Sequence, residues 1–129
     1  IHDFLLVPDA PEPCLQTLSS ACVKILSLTV TEKGYYRNVA GELDLTNALV
    51  QEDIENWAKH DGGARGLKQP KTAFGLICTV LQRRRAAGLG PLTVFSCDNL
   101  PMNGSVCRAV TMQFARAVDA ALAAWIEAE

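Results

Sequence analysis

Two short runs rich in β-branched residues constrain this chain more than any other feature: residues 23–30 (VKILSLTV) and residues 92–96 (LTVFS). Each gives way at once to a dense polar loop, TEKGYY after the first and CDNLPMNG after the second. The first run is nearly continuous in its apolarity, as expected for an interior strand covered by helices on both faces. The text between the runs is helical. Leu49, Val50, Ile54 and Trp57 recur at spacings of three and four within residues 47–59, with Asp53 and Glu55 assigned to the outward face. Pro70, Lys71 and Thr72 open a second helix that turns Phe74, Ile77 and Leu81 inward, and Gly88 and Gly90-Pro91 stop it. Arg83, Arg84 and Arg85 fall in its last turns, where cations oppose the negative end of the helix dipole and read as a solvated helix end.

Either side of this segment the pattern continues. Residues 4–7 (FLLV), closed off by Pro8, Pro11 and Pro13, read as a first strand. Pro11-Glu12-Pro13 then opens a short helix carrying Leu15, Leu18 and Cys22. After the loop at 97–104, Val106, Val110, Phe114, Ala117, Ala121 and Trp125 form the stripe of one long helix. Strands alternating with helices predict an α/β architecture with a parallel sheet of three visible strands. In such sheets ligands bind beyond the carboxyl ends of the strands, so the loops at 31–36 and 97–104 should meet at one edge.

A length of 129 residues allows one domain or a piece of one, and 49% hydrophobic residues exclude intrinsic disorder. A net charge of −2 leaves no basic field for nucleic acid or for an anionic membrane surface. No run approaches the roughly 18 apolar residues of a membrane span. The five cysteines lack the paired spacings of a zinc site, His2 and His60 have no companions at ligand spacing, and no metal site is assigned. An odd number of cysteines and nothing that resembles a secretory signal read as a reducing, cytoplasmic compartment. Ile1 stands where an initiator methionine is expected, which points to a cut chain.

The motifs VTEKGY and SCDNLPMNG, in that order and with the intervening PKT and GLGPLTV text, resemble the mannitol dehydrogenase family of polyol-specific long-chain dehydrogenases and reductases, which includes fructuronate reductase. The resemblance spans essentially the whole chain. It implies a Rossmann-like parallel sheet with flanking helices, present as an incomplete, second-half domain over residues 1–129. No glycine-rich turn of the GxGxxG kind occurs between Ile1 and Thr31, so the first βαβ half is expected upstream and the family's helical substrate domain downstream. The implied activity is an NAD(H)-dependent interconversion of a sugar alcohol or aldonate with its ketose or keto-acid, without metal and inactive in the isolated piece. The implied partner is a small polyol or keto-sugar.

In that family a lysine acts as general acid/base and asparagines polarise the reacting oxygen. The motif asparagine falls on Asn99, which becomes the catalytic candidate; the lysine lies outside the chain, and Lys33 reads as a solvated loop residue. Thr31 and Glu32 either line the nicotinamide ribose and the mouth of the site, or cap a turn and make a structural hydrogen bond. Cys97 reads as a packed or spectator thiol, Asp98 as a loop-holding carboxylate, and Asn103 with Gly104 as a helix N-cap. An open sheet edge around residues 4–7 and 23–30 would expose apolar surface and drive self-association. The rival reading is a noncatalytic α/β binding or interaction module that keeps these loops without the chemistry.

Overall fold

A computed structural model of the chain describes residues 7–59 and 63–128. In chain order these form α1 (Pro11–Ser19), β1 (Ile25–Leu28), a 3-10 helix (Glu32–Tyr35), α2 (Ala48–Trp57), α3 (Ala73–Ala86), β2 (Thr93–Ser96), α4 (Asn103–Val118) and α5 (Ala120–Ala128). β1 and β2 pair in parallel, with Ile25 opposite Thr93 and Leu28 opposite Ser96. The Thr93 N–H donates to the Lys24 carbonyl at 2.9 Å and the Cys97 N–H to the Leu28 carbonyl at 2.9 Å, closing the ladder at both ends. The expected α/β class therefore holds.

The core sits around α3, which packs against α1, α2, α4 and α5. Phe74, Ile77, Cys78, Val80 and Leu81 of α3 are all buried, and Phe74 meets the Tyr35 ring with centroids 5.5 Å apart. Its start is fixed from two directions. The Thr72 hydroxyl accepts from the Gly75 N–H at 2.9 Å, a helix N-cap. Asp53 of α2 in turn accepts from the Lys71 N–H, the Thr72 N–H and the Thr72 hydroxyl at 2.9, 2.9 and 2.8 Å.

Several sequence expectations change here. Leu26, Leu28 and Ser96 are buried, whereas Ile25 is 63% and Phe95 56% exposed. Among the described residues, then, only one face of the sheet is covered, not two. Period-two burial is invisible in a run where outward positions such as Ile25 are as apolar as inward ones. Of the strand expected at 4–7, residues 4–6 lie outside the described residues, and Val7 belongs to a turn. Cys22 lies beyond the end of α1 and is exposed.

Asp53, expected on the outward face of α2, is 1% exposed, because capping the next helix outweighs solvation of its carboxylate. The single long helix is two. Asp119 adopts an extended conformation (φ −158°, ψ 104°), and its carboxylate accepts from the Ala121 and Leu122 N–H groups at 2.8 and 3.1 Å, capping α5. The arginines at the end of α3 are not simply solvated either. Arg83 forms a two-pronged pair with Glu12 at 2.8 and 2.9 Å, which pulls the Glu12 carboxyl below its ordinary value. Arg84 is 2% exposed and donates to the carbonyls of Ser20, Val23, Gly90 and Pro91. It joins the ends of the chain segments that enter β1 and β2.

Candidate functional site

At the carboxyl ends of the strands one side chain ties the two polar loops together. Asp98, just beyond β2, accepts from the Val30 N–H on one carboxylate oxygen and from the Tyr35 hydroxyl on the other. The Ser96 hydroxyl also donates to it at 2.8 Å and lies 2.8 Å from the Tyr35 hydroxyl. Asn103, in the first turn of α4, donates from Nδ2 to the carbonyls of Ser96 and Asp98 at 3.2 and 2.9 Å. Burial pushes the Asp98 carboxyl up, but the bonds from Tyr35, Ser96 and Val30 outweigh it and leave the carboxyl below its ordinary value. Burial, reinforced by the Asp98 carboxylate, pushes the Tyr35 hydroxyl up to about 12. The cluster is thus an ionised carboxylate held by neutral donors.

The backbone makes room for it. A Cβ on Gly34 would stand 3.0 Å from the Val30 Cβ, so the 3-10 helix folds back on the end of β1 because that residue has no side chain. Both loops leave the edge through a residue in left-handed conformation, Tyr36 at φ 50° and Met102 at φ 54°. Neither is glycine, and such backbone costs about 1 kcal/mol or more for a residue with a Cβ.

The sequence candidates take these positions. Thr31 flanks the 3-10 helix, where its carbonyl accepts from the Gly34 N–H at 2.8 Å, and its exposed side chain caps nothing. Glu32 is exposed and, among the described residues, has no side-chain hydrogen bond, so the structural bond weighed for it is not formed. Asn99 is exposed and likewise lacks a side-chain partner among the described residues. Val30 and Asp98 are hydrogen-bonded, which brings their chain neighbours Thr31 and Asn99 to the same edge. Lys33 is exposed, and Cys97 is exposed instead of packed, contributing only its backbone N–H to the ladder. Asp98 holds the loop as expected. Asn103 is not an N-cap: it is already helical, and its amide points back to clamp the preceding loop. Tyr35 and Ser96 were missed, although both lie inside the two motifs.

Among the described residues there is no group of three or more side chains suited to a metal ion, and no helix long and apolar enough to cross a membrane. Residues 8–129 match the profile of the mannitol dehydrogenase Rossmann domain. The chain belongs to that family. It is 42% identical over 128 residues to the polyol:NADP oxidoreductase of Gluconobacter oxydans, covering 98% of this chain and 24% of that protein. It is 42% identical over 120 residues to the D-mannonate oxidoreductase of Escherichia coli, covering 92% of this chain and 23% of the relative. The structure of Pseudomonas fluorescens mannitol 2-dehydrogenase, a ternary complex with NAD and D-mannitol, superimposes with a TM-score of 0.87 at 39% identity, covering 100% of this chain and 24% of that one. This mannitol dehydrogenase Rossmann-domain chain therefore spans about a quarter of the length of the relatives it matches.

Proposed function

We propose that this chain is the second half of the NAD-binding domain of a longer oxidoreductase, with the first βαβ half and a helical substrate domain outside residues 1–129. The whole protein interconverts a sugar alcohol or aldonate with its ketose or keto-acid, of the mannitol/fructose or mannonate/fructuronate type. The observation that carries this reading is Asn99: an exposed carboxamide without a side-chain partner among the described residues, one position from an anchored carboxylate, at the sheet edge where α/β folds bind ligands. The relatives' names, polyol:NADP and D-mannonate oxidoreductase, support the substrate class. The five unbridged cysteines go with a cytoplasmic setting. The open sheet face at Ile25 and Phe95 supports self-association of the isolated piece.

The residues present suit one end of the cofactor. Thr31 and Glu32 offer exposed polar groups at the strand end, fitting a nicotinamide ribose and the mouth of the site. NAD(H), when bound, supplies the hydride acceptor or donor. The chain's own contribution is electrostatic: the Asn99 amide N–H donates to the reacting oxygen as negative charge develops there, and it moves no proton. The general acid/base lysine belongs to the substrate domain.

The test is Asn99→Ala in the full-length protein. Turnover should fall about 100- to 1000-fold while NADH affinity stays nearly unchanged, because such a donor acts on the transition state more than on the cofactor. Unchanged turnover per folded molecule would remove Asn99 from the mechanism.

A further inference from the structure

We infer that Asp98 is a positioning residue for this reaction, holding Asn99 in place through a clamp whose donors are the Tyr35 hydroxyl, the Ser96 hydroxyl and the Val30 N–H; the inference rests on the reading of Asn99 just given. Asn99 has no side-chain hydrogen bond among the described residues, so its backbone is what bounds the space its carboxamide samples. That backbone is fixed at the preceding residue. The Asp98 carboxylate is held by groups from the end of β1, from the 3-10 helix and from the last residue of β2. The Asp98 carbonyl belongs to the peptide unit that carries the Asn99 N–H, and Asn103 grips it at 2.9 Å. Both ends of Asp98 are therefore pinned, and the peptide leading into Asn99 cannot turn without breaking the half-buried bond from Asn103.

The same carboxylate reaches the opposite loop. Its partner Val30 immediately precedes Thr31, so one side chain fixes the spacing between the candidate cofactor loop and the candidate oxygen-polarising loop. A donor displaced by about 1 Å from its productive place can cost on the order of 100-fold in rate. Asp98 touches neither ligand in this account; it acts through Asn99.

Tyr35→Phe is the cleanest perturbation. It keeps the buried ring against Phe74, 5.5 Å away, and removes only the hydroxyl that holds Asp98. Measured in the full-length enzyme, kcat should fall about 10- to 100-fold while the NADH dissociation constant changes less than about twofold. The deciding measurement is a double-mutant cycle with Asn99→Ala. If Tyr35 and Asp98 work through Asn99, then Tyr35→Phe should change kcat less than about twofold once Asn99 is already alanine. If Asn99→Ala is slow but Tyr35→Phe is harmless, or slows both backgrounds equally, the clamp is merely structural and the inference falls while the reading of Asn99 stands. If Asn99→Ala itself is harmless, the reading falls and takes the inference with it. Should Tyr35→Phe fail to fold, Ser96→Ala removes the other hydroxyl 2.8 Å from Asp98 and enters the same cycle with the same expected and overturning results.

Discussion

Gly75 sits in the first turn of α3 with its α-carbon turned toward Asp53, and replacing it with alanine tests how rigidly α2 caps α3. A Cβ there would stand 2.3 Å from Asp53 Oδ2 and 3.0 Å from the Leu67 Cδ1. The leucine methyl can swing away. The carboxylate cannot, because its Oδ2 is held by the Thr72 N–H at 2.9 Å and the Thr72 hydroxyl at 2.8 Å. Relief requires lengthening those buried bonds, an overpacking cost of about 3 kcal/mol, offset by about 1 kcal/mol of helix propensity gained from alanine. Gly75→Ala should therefore destabilise by about 2 kcal/mol. Asp53→Ala leaves the Thr72 N–H and hydroxyl buried without an acceptor and should cost about 3–4 kcal/mol. In the double variant the obstruction is gone and only the propensity gain remains, giving a loss of about 2–3 kcal/mol against the 5–6 kcal/mol expected from simple addition. Equilibrium urea unfolding of the four proteins measures this coupling of about −3 kcal/mol. Additivity to within about 0.5 kcal/mol would show that Asp53 moves freely and refute the argument.

Two further outcomes follow from the buried charges. Arg84→Lys should lower stability by about 3 kcal/mol in the same assay, because an ammonium cannot reach the four carbonyls that the guanidinium serves at once. The Asp98 carboxyl lies below its ordinary value of 3.8 in the folded chain, so its contribution is complete above that value and is lost as the pH falls through the folded pKa. Asp98→Asn should therefore show a shallower loss of stability in acid below about pH 4, measured by chemical denaturation at successive pH values, and an unchanged acid slope would refute the assignment.

The sequence disclosed elements through periodicity and motif, and it hid long-range polar pairing. Residues 47–59 and 73–86 were legible because Leu49, Val50 and Trp57, and Phe74, Ile77 and Leu81, recur at helical spacing. Asp53 lies three residues after Val50 and four before Trp57, on the buried stripe itself, so helical spacing marks the position and only the charge argues for the outward face. The partners that satisfy that charge, Lys71 and Thr72, lie 18 and 19 residues onward. Arg84 likewise continues the stripe of Ile77 and Leu81, and what the sequence hides is how its charge is met, since its acceptors at Ser20 and Val23 are 64 and 61 residues away. The break at Asp119 is hidden in the sequence because the apolar stripe continues through it. A short acidic residue inside a helical pattern carries two meanings, solvated surface or cap of a new helix, and only the backbone decides between them.

The site divides in the same way. Thr31 and Glu32 stand out because they follow an apolar strand, Asn99 because the family resemblance of its motif falls on it, and the parallel register of β1 and β2 brings the two motifs to one edge. What the motifs could not show is that the residues between the candidates bear the geometry. Tyr35 and Asp98 are 63 residues apart, yet their bond lies in the interior behind an exposed Asn99. An exposed carboxamide on a surface loop would sample many positions, and its ordering would have to be met by ligand binding energy. Anchoring the adjacent carboxylate moves the backbone share of that ordering into folding, leaving only the Asn99 side-chain torsions to be ordered. The strained Met102 backbone, at φ 54°, is consistent with this, because it turns the chain into α4 where Asn103 can grip the Asp98 carbonyl. On the proposed reading of Asn99, the buried part of SCDNLPMNG positions the loop, and the exposed carboxamide of Asn99 is the group left to meet the ligand.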